Sequence, residues 1–225
     1  MSVAAGRLLV PTGAWASGAV FQFDAPFPAD PSPAGSAPWV EAFFQDVSPG
    51  TVQLTITNVG LTTGEFVAGD GNGANGGFFF NLNPVFDPDS LVFDLVSSNG
   101  NFSPVIKAGI DGFKADGDGK YDIRFDFSQG TFTVNSSITY LISGIPGLLA
   151  SDFAYLSAPA GGSGPFYAAA HVQGLPSSGG ATSTWLSASL YLDTSVPEPS
   201  PVALCSLLAG FWMAKRPFRK RTRQR

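Results

Sequence analysis

Apolar and polar side chains alternate with a period of two along most of the chain before residue 195. The segment Thr51–Thr57 alternates strictly, with its valine, leucine and isoleucine on one face. The segment Tyr121–Phe127 places aromatic and aliphatic residues on one face and charges on the other. Such alternation is typical of strands that bury one face and expose the other, the antiparallel habit. Further strands are predicted at 39–47, 91–95, 130–135, 138–142, 166–172 and 186–192.

These elements predict an all-β fold. About seven to ten short strands, separated by clusters of Gly, Pro, Asn, Asp and Ser, indicate an antiparallel β-sandwich or jelly roll. No long helix is predicted before residue 200, although residues 150–156 fit a single helical turn. The chain has 20 phenylalanines, and the alternating positions of Phe21, Phe23, Phe43, Phe125 and Phe127 predict that they fill the core.

The pattern changes after residue 195. Two prolines flank Glu198 and hold that segment extended, without two N–H donors. The apolar run from Val202 to Ala214 follows, shorter than the ~20 apolar residues that span a bilayer comfortably. A hydrophobic helix is predicted for this run. The basic tail after it would retain that end on the cytoplasmic side of a membrane, and it includes Lys215, Arg216, Arg219, Lys220 and Arg221.

This ordered arrangement, Val196-Pro197-Glu198-Pro199 followed by the apolar run and the basic tail, resembles the PEP-CTERM sorting signal of exopolysaccharide-producing Gram-negative bacteria. The resemblance covers Val196 to Arg225. It implies an exosortase, a membrane transpeptidase-like enzyme, that cuts at or near Pro197–Pro199. The precursor would sit in the inner membrane, and the product in the periplasm, on the outer surface or in the extracellular matrix. An ordinary tail anchor and a nucleic-acid-binding tail are the alternatives.

Charge divides the chain in the same place. Of the 12 Lys and Arg, seven follow residue 214, and of the 17 Asp and Glu one is Glu198, which leaves five and sixteen and a net charge of −11 in residues 1–195. A region with this net negative charge repels the phosphates of a nucleic acid, so nucleic-acid binding is not expected. The only cysteine, Cys205, lies in the apolar run, so residues 1–195 have no disulfide framework and no cysteine nucleophile.

The N-terminal segment is less regular. Residues 1–19 are interpreted as the remnant of a signal peptide, but Pro11 and Gly13 break the apolar stretch that such a signal needs. Either the start lies inside a longer signal peptide, or the reading frame is truncated, or the protein stays in the cytoplasm. The predicted organisation is therefore 1–19 signal remnant, 20–195 β-sandwich ectodomain and 196–225 sorting signal.

One loop has the composition of a calcium site. Asp116, Asp118 and Asp122 lie on a Gly-rich turn, and carboxylate oxygens are the ligands that Ca²⁺ prefers. Asp111 or Asp126 would have to complete the coordination shell. The alternative is a polar hairpin whose Asp-Gly pairs serve turn geometry.

The remaining candidates concern sugars and catalysis. Trp39, Trp185 and Tyr167 are candidates for stacking on sugar rings, against the alternative that they pack in the core. His171, the sole histidine, is interpreted as structural and hydrogen-bonded at a sheet edge. No Gly-x-Ser-x-Gly nucleophile motif is present, and the protein is predicted not to be an enzyme.

Three stretches of the body resemble ectodomains that often precede this sorting signal, namely 81–84, 114–122 and 157–172. That resemblance implies no known activity. The expected role is structural or adhesive, in association with exopolysaccharide. The alternatives are a carbohydrate-binding module, with or without calcium, and then a hydrolase.

Overall fold

A computed structural model describes residues 17–69, 76–176 and 182–193 of the chain. Within these residues the chain forms strands joined by turns and two short 3₁₀ helices, Pro88–Ser90 and Ala150–Phe153. The second coincides with the helical turn predicted at 150–156. The strands are β1 (Gly18–Pro26), β2 (Val40–Ser48), β3 (Thr51–Asn58), β4 (Phe66–Val67), β5 (Phe78–Phe80), β6 (Val92–Ser98), β7 (Val105–Lys114), β8 (Lys120–Asp126), β9 (Ser137–Ser143), β10 (Ala168–Gln173) and β11 (Ser183–Asp193).

All the strands belong to one antiparallel sheet, which confirms the predicted all-β class. Their spatial order is β6-β9-β3-β2-β1-β11-β10-β5-β8-β7, and β4 pairs with β10 beside this path. The first and last strands of the chain, β1 and β11, therefore pair with each other in the middle of the sheet. The two edges are β6 and β7, which follow one another in sequence.

The sheet curls until its two halves face each other. Phe44 of β2 meets Phe80 of β5 edge to face, with ring centroids 5.3 Å apart. Near the edges, Phe93 of β6 meets Phe125 of β8 at 5.6 Å and at right angles. Edge-to-face pairs of this kind suit the charge distribution of aromatic rings. The result is a nearly closed, sandwich-like or barrel-like sheet around an aromatic core.

The alternation read in β2 and β3 places their apolar residues in that core. Phe44 lies opposite Leu54, and Ala42 lies opposite Ile56. These four side chains are at most 1% exposed, while the residues between them are half-buried on the outer face. Phe43, expected in the core, is one of these outer residues, since it lies between two inward-facing neighbours.

A second apolar cluster covers the other face of the sheet around β5. Phe78 and Phe80 point into the main core, whereas Phe79 joins the second cluster. All three rings are fully buried, so β5 shows no alternation. Because all three side chains are buried, a period-two pattern does not identify β5 in the sequence. The second cluster comprises Phe27, Phe79, Ala115, Tyr121, Ala169 and Trp185.

Two expectations require correction. The strand predicted at 130–135 is a pair of turns, in which Gly130 and Asn135 have positive φ values and Phe132 forms only an isolated bridge to Val67. The start of the folded domain, predicted at residue 20, also lies two residues after the start of β1 at Gly18, and Ala19 is fully buried. The C-terminal helix predicted at 202–214 lies outside the described residues. Within them, no helix has the length and apolarity to cross a membrane.

A candidate binding cleft beside the β7 bulge

The most irregular part of the sheet is a bulge in β7. Ala108 lies opposite Ile123 and Phe113 lies opposite Tyr121, so residues 109–112 face the single residue Asp122. Asp111, inside the bulge, has a φ of 50°, a conformation that side chains other than glycine rarely adopt. Bulges and strained residues are concentrated next to functional sites. The bulge therefore marks a candidate functional site.

Asp122 holds the bulge in place with both of its carboxylate oxygens. Its Oδ1 accepts a hydrogen bond from the Asp111 N–H and its Oδ2 accepts one from the Leu82 N–H, each at 2.9 Å. Burial raises the pKa of the Asp122 carboxyl, the two N–H donors oppose the rise, and the nearby Asp111 charge adds to it. A half-buried carboxylate thus ties the β7 bulge to the segment after β5.

The facing wall is fixed by Asn81. Its buried side-chain amide donates to the backbone carbonyls of Tyr155 (3.0 Å) and Tyr167 (2.9 Å). Next to it, the Asn83 amide donates to Asp152 Oδ1 at 2.9 Å and so positions the second 3₁₀ helix. Two asparagines therefore hold the loop that carries Tyr155 against the end of β5.

Between these walls lies a cleft with a volume of about 220 Å³. Its surface is mostly apolar, and several of its apolar side chains are open to solvent: Ile110 is 71% exposed, Leu156 50% and Tyr155 37%. The polar groups are few, chiefly the two carboxylates. The lining residues are Asn81, Leu82, Pro84, Phe86, Pro88, Ile110, Asp111, Asp122, Tyr155, Leu156 and Ala158.

This chemistry suits a small neutral ligand that has both apolar faces and hydroxyl groups. Apolar and aromatic walls with a few placed polar groups are the usual composition of a binding site. The Tyr155 ring and the Leu156 side chain offer apolar contact, and carboxylate oxygens accept hydrogen bonds from hydroxyls. A sugar ring meets both requirements.

A second, more open concavity with a volume of about 310 Å³ lies on the outer face of β1, β2 and β3. Its polar groups are already bonded to their neighbours. Gln22 donates to Glu41 at 2.8 Å, and the Thr55 hydroxyl pairs with that of Thr139 at 3.2 Å. Phe43 lies among these groups. The cleft beside β7 is the better candidate, because its Asp122 carboxylate accepts hydrogen bonds from backbone N–H groups and not from other side chains.

The structure does not bring the three proposed calcium ligands together. Asp122 faces the cleft, whereas Asp118 accepts a hydrogen bond from the Ser163 N–H at 2.6 Å. Asp116 is exposed, and its pKa is raised by partial burial first and then by the charges of Asp30 and Asp118. In residues 17–69, 76–176 and 182–193, no group of three His, Cys, Asp or Glu side chains is placed to hold a metal ion.

The alternative interpretation of that loop, a polar hairpin, describes its geometry. The Asp118 N–H donates to the Ala115 carbonyl at 2.8 Å, and the two residues between them, Asp116 and Gly117, both have positive φ values. Positive φ at both central residues is the requirement of a type I′ turn, which Asp-Gly favours. The carboxylate spacing that suggested calcium follows from the turn.

The two tryptophans proposed as sugar platforms are buried. Trp39 is 5% exposed, and its indole N–H donates to the Gly35 carbonyl at 2.9 Å. Trp185 is 8% exposed and stacks on the His171 ring at 4.5 Å. Neither presents a free ring face to a ligand. Tyr167 is half-buried and packs against the main core.

His171 is a structural residue, but it does not lie at a sheet edge. Its strand, β10, is bordered by β11 on one side and by β4 and β5 on the other. Its ring is 6% exposed and its Nδ1 lies 2.9 Å from the Ala68 carbonyl. The hydrogen bond was expected, and the central position was not.

Comparison of the chain with protein-family models, with curated proteins and with solved structures gives no match. The sorting motif Val196–Pro199 and the basic residues Lys215, Arg216, Arg219, Lys220 and Arg221 lie outside the described residues. The stretches 81–84, 114–122 and 157–172 each contribute residues to the lining of the cleft. Ile110 and Tyr155 line the cleft but were not predicted from the sequence as site residues. The two glycines of 109–112, inside an otherwise strand-like run, are a signal that indicates a bulge.

Proposed function

We propose that this chain is an exported surface or extracellular-matrix protein whose folded domain is cargo for exosortase sorting. The observation that carries the proposal is the position of the sorting motif after the fold. The last strand ends at Asp193, three residues before Val196, and every buried apolar residue of the described core lies between Ala19 and Ala188. Cleavage at Pro197–Pro199 would therefore remove nothing that the core needs.

The C-terminal segment supplies the rest of the proposal. Residues 202–214 would form a hydrophobic helix in the inner membrane of the precursor, and the basic tail would hold its end in the cytoplasm. The acidic domain would then face outward, toward the periplasm and later the surface or matrix. We propose a structural or adhesive, non-enzymatic role there, in company with exopolysaccharide.

Mass spectrometry of the protein recovered from the surface of its native host tests this proposal. We expect the C-terminus at or near Pro197–Pro199 and no peptide beyond it. The double variant Glu198→Ala/Pro199→Ala should stay uncut in the inner membrane, whereas Ser195→Ala, just outside the motif, should be processed as the wild type is. Recovery of chains that end at Arg225 from the cell surface would overturn the proposal.

The alternative role, a carbohydrate-binding module, is favoured by the cleft beside β7. Its exposed Tyr155 ring, apolar wall and carboxylates fit a sugar better than an ion or an acidic ligand. Retention of the purified full-length chain in gels that contain the host's exopolysaccharide measures this binding. We expect Tyr155→Ala and Asp111→Asn to weaken retention at least about fivefold, because the first removes the stacking ring and the second replaces a charged acceptor of hydroxyl hydrogen bonds by a weaker, neutral one.

The control is Tyr191→Ala, which alters a more exposed tyrosine (55% against 37% for Tyr155) that does not line the cleft. It should retain wild-type mobility. Addition of millimolar Ca²⁺ tests the calcium-dependent version, and since the carboxylates of the turn do not converge we expect neither retention nor melting temperature to change. Equal loss of retention in all three variants, or in none, would contradict a sugar site in the cleft.

A further inference from the structure

The two strands at the edges of the sheet leave half of their backbone hydrogen-bonding groups without a strand partner. In the part of the chain that the structure describes, β6 pairs only with β9 and β7 pairs only with β8. Unpaired edges are ready to add a strand from another chain. Both edges lie on the same side of the molecule, because Phe93 of β6 contacts Phe125 of β8, and β8 carries β7.

These edges are also unusually apolar. On β6, Val92, Leu95 and Val96 are 48%, 51% and 54% exposed, and on β7 Val105 is 59% exposed. Natural edge strands are usually protected by charges, bulges or a covering loop. Each strand carries one bulge, between Leu95 and Ser97 in β6 and between Ala108 and Phe113 in β7. Outside the β7 bulge, the four valine and leucine side chains stand beside only two charged ones, Asp94 on β6 and Lys107 on β7.

The two edges match each other in register and charge. Phe93 of β6 and Ile106 of β7 pack against the core, so Asp94 and Lys107 lie on the outer face, where the Lys107 Nζ also lies 3.5 Å from the Asp126 Oδ2 of β8. An antiparallel ladder that keeps core faces together and sets Asp94 opposite Lys107 also sets Leu95 opposite Ile106. A shift of two residues in either direction, the smallest that keeps the faces aligned, separates the two charges.

The same ladder does not form within one molecule. The segment that joins β6 to β7 carries Phe102, which is 8% exposed and packs against Phe132 at 5.3 Å and Phe127 at 6.0 Å. This ring anchors the connection in the core instead of in a hairpin turn. The partner that satisfies both edges is therefore a second copy.

We propose that two copies form a symmetric dimer in which β6 of each subunit pairs with β7 of the other. A two-fold axis parallel to the strands brings both pairs together at once and keeps them antiparallel, and the interface closes on itself. Each half of the curled sheet then continues across the dimer. Asp94 faces Lys107 of the partner subunit twice, and Leu95 faces Ile106 of the partner subunit twice.

Disulfide trapping tests the pairing without reference to sorting or to sugar binding. In the full-length chain with Cys205→Ser, one preparation carries Asp94→Cys and another carries Lys107→Cys. Oxidation of the mixture should give a linked heterodimer on a non-reducing gel, because directly opposed residues in an antiparallel pair bring their Cβ atoms within disulfide reach. A mixture of Asp94→Cys with Lys114→Cys, equally exposed but seven residues out of register, should give none.

Two outcomes would overturn the proposal. One is equal cross-linking in both mixtures, which would mean random collision. The other is a chain carrying both Asp94→Cys and Lys107→Cys that closes only within itself and runs as a monomer, which would mean that β6 and β7 pair intramolecularly. A linked dimer from the first mixture alone supports it.

Charge exchange gives an independent readout in solution. Sedimentation of the full-length Cys205→Ser chain should show a dimer, and Asp94→Lys should raise its dissociation constant at least about tenfold, since like charges then face each other. The control Lys107→Arg keeps the positive charge toward both Asp126 and Asp94, so it should dimerise as the wild type does. A wild-type chain that sediments as a monomer, or an Asp94→Lys variant that dimerises as tightly as the wild type, would contradict the proposed interface.

Discussion

Trp39 shows how a single side chain decides between a core residue and a sugar platform. Its ring is buried in the main cluster and its N–H is bonded to the Gly35 carbonyl. Replacement by alanine should leave a cavity and an unpaired carbonyl, so we expect Trp39→Ala to lower the free energy of unfolding by about 3–5 kcal/mol. Urea unfolding of the full-length chain, followed by circular dichroism, measures the loss.

The control for this prediction is Tyr155→Ala, which removes a ring of comparable size that is 37% exposed. It should cost less than about 1 kcal/mol, as surface substitutions usually do. A Trp39→Ala variant that unfolds like the wild type but no longer binds polysaccharide would restore the sugar-platform interpretation.

Tyr140 makes stability depend on pH in the alkaline range. Burial raises the pKa of its hydroxyl to about 12, because the charged phenolate is poorly solvated in the core. Its contribution to stability is therefore complete below the unfolded-state pKa of about 10 and is lost as the pH rises through 12. Tyr140→Phe removes the ionisable group, so the variant should lose less stability than the wild type between these pH values.

Alkaline unfolding curves of the two chains, recorded at fixed ionic strength, measure this difference. Tyr155→Phe, which removes the hydroxyl of an exposed tyrosine, is the control and should follow the wild type. Curves of Tyr140→Phe and wild type that remain parallel up to pH 12 would mean that Tyr140 does not titrate with unfolding.

At the scale of the element, the β7 bulge depends on one carboxylate. Asp122 accepts the Asp111 and Leu82 N–H groups, so Asp122→Ala leaves both donors without their partner. We expect a loss of about 1–3 kcal/mol, the usual cost of an unsatisfied buried polar group, and faster hydrogen exchange at these two amides. Asp118→Ala, which frees only the Ser163 N–H, should leave exchange in the bulge unchanged. Unaltered exchange at Asp111 in the Asp122 variant would show that the bulge is held by other contacts.

The elements also show which parts of the fold are legible in the sequence. Strands β2, β3 and β9 follow from alternation, because each buries one face only. Strand β8 also has an alternating sequence, but Arg124 between two core residues is buried too, and Tyr121 packs in the second cluster instead of the main core. Strand β5 does not follow from alternation, because both of its faces are covered. The cleft could not be predicted from the sequence for a related reason, since a bulge, a turn and a distant loop form it together. Asn81 and Asp122 hold these segments in place, and both bond to backbone groups, which no sequence pattern reveals.

At the scale of the whole molecule, β1 and β11, the first and last strands of the domain, pair with each other in the middle of the sheet. The pairing of β1 with β11 extends from Gly18 opposite Asp193 to Pro26 opposite Leu186. The end of the fold is thus a central strand and not a loose extension. If the chain is cut at the proposed site at Pro197–Pro199, the cut falls after this strand and leaves its pairing with β1 intact.

This arrangement predicts that the tail contributes nothing to stability. A chain that ends after Pro199 should unfold within about 0.5 kcal/mol of the full-length chain, because every buried apolar residue of the described core precedes residue 189. The matched control ends after Ser187 and removes the half of β11 that pairs with residues 18–23 of β1. It should fail to fold, since it exposes the centre of the sheet. Thermal melts of the three chains in the same detergent solution test this, and a shortened chain ending at Pro199 that melts well below the full-length protein would mean that the residues after the motif belong to the fold.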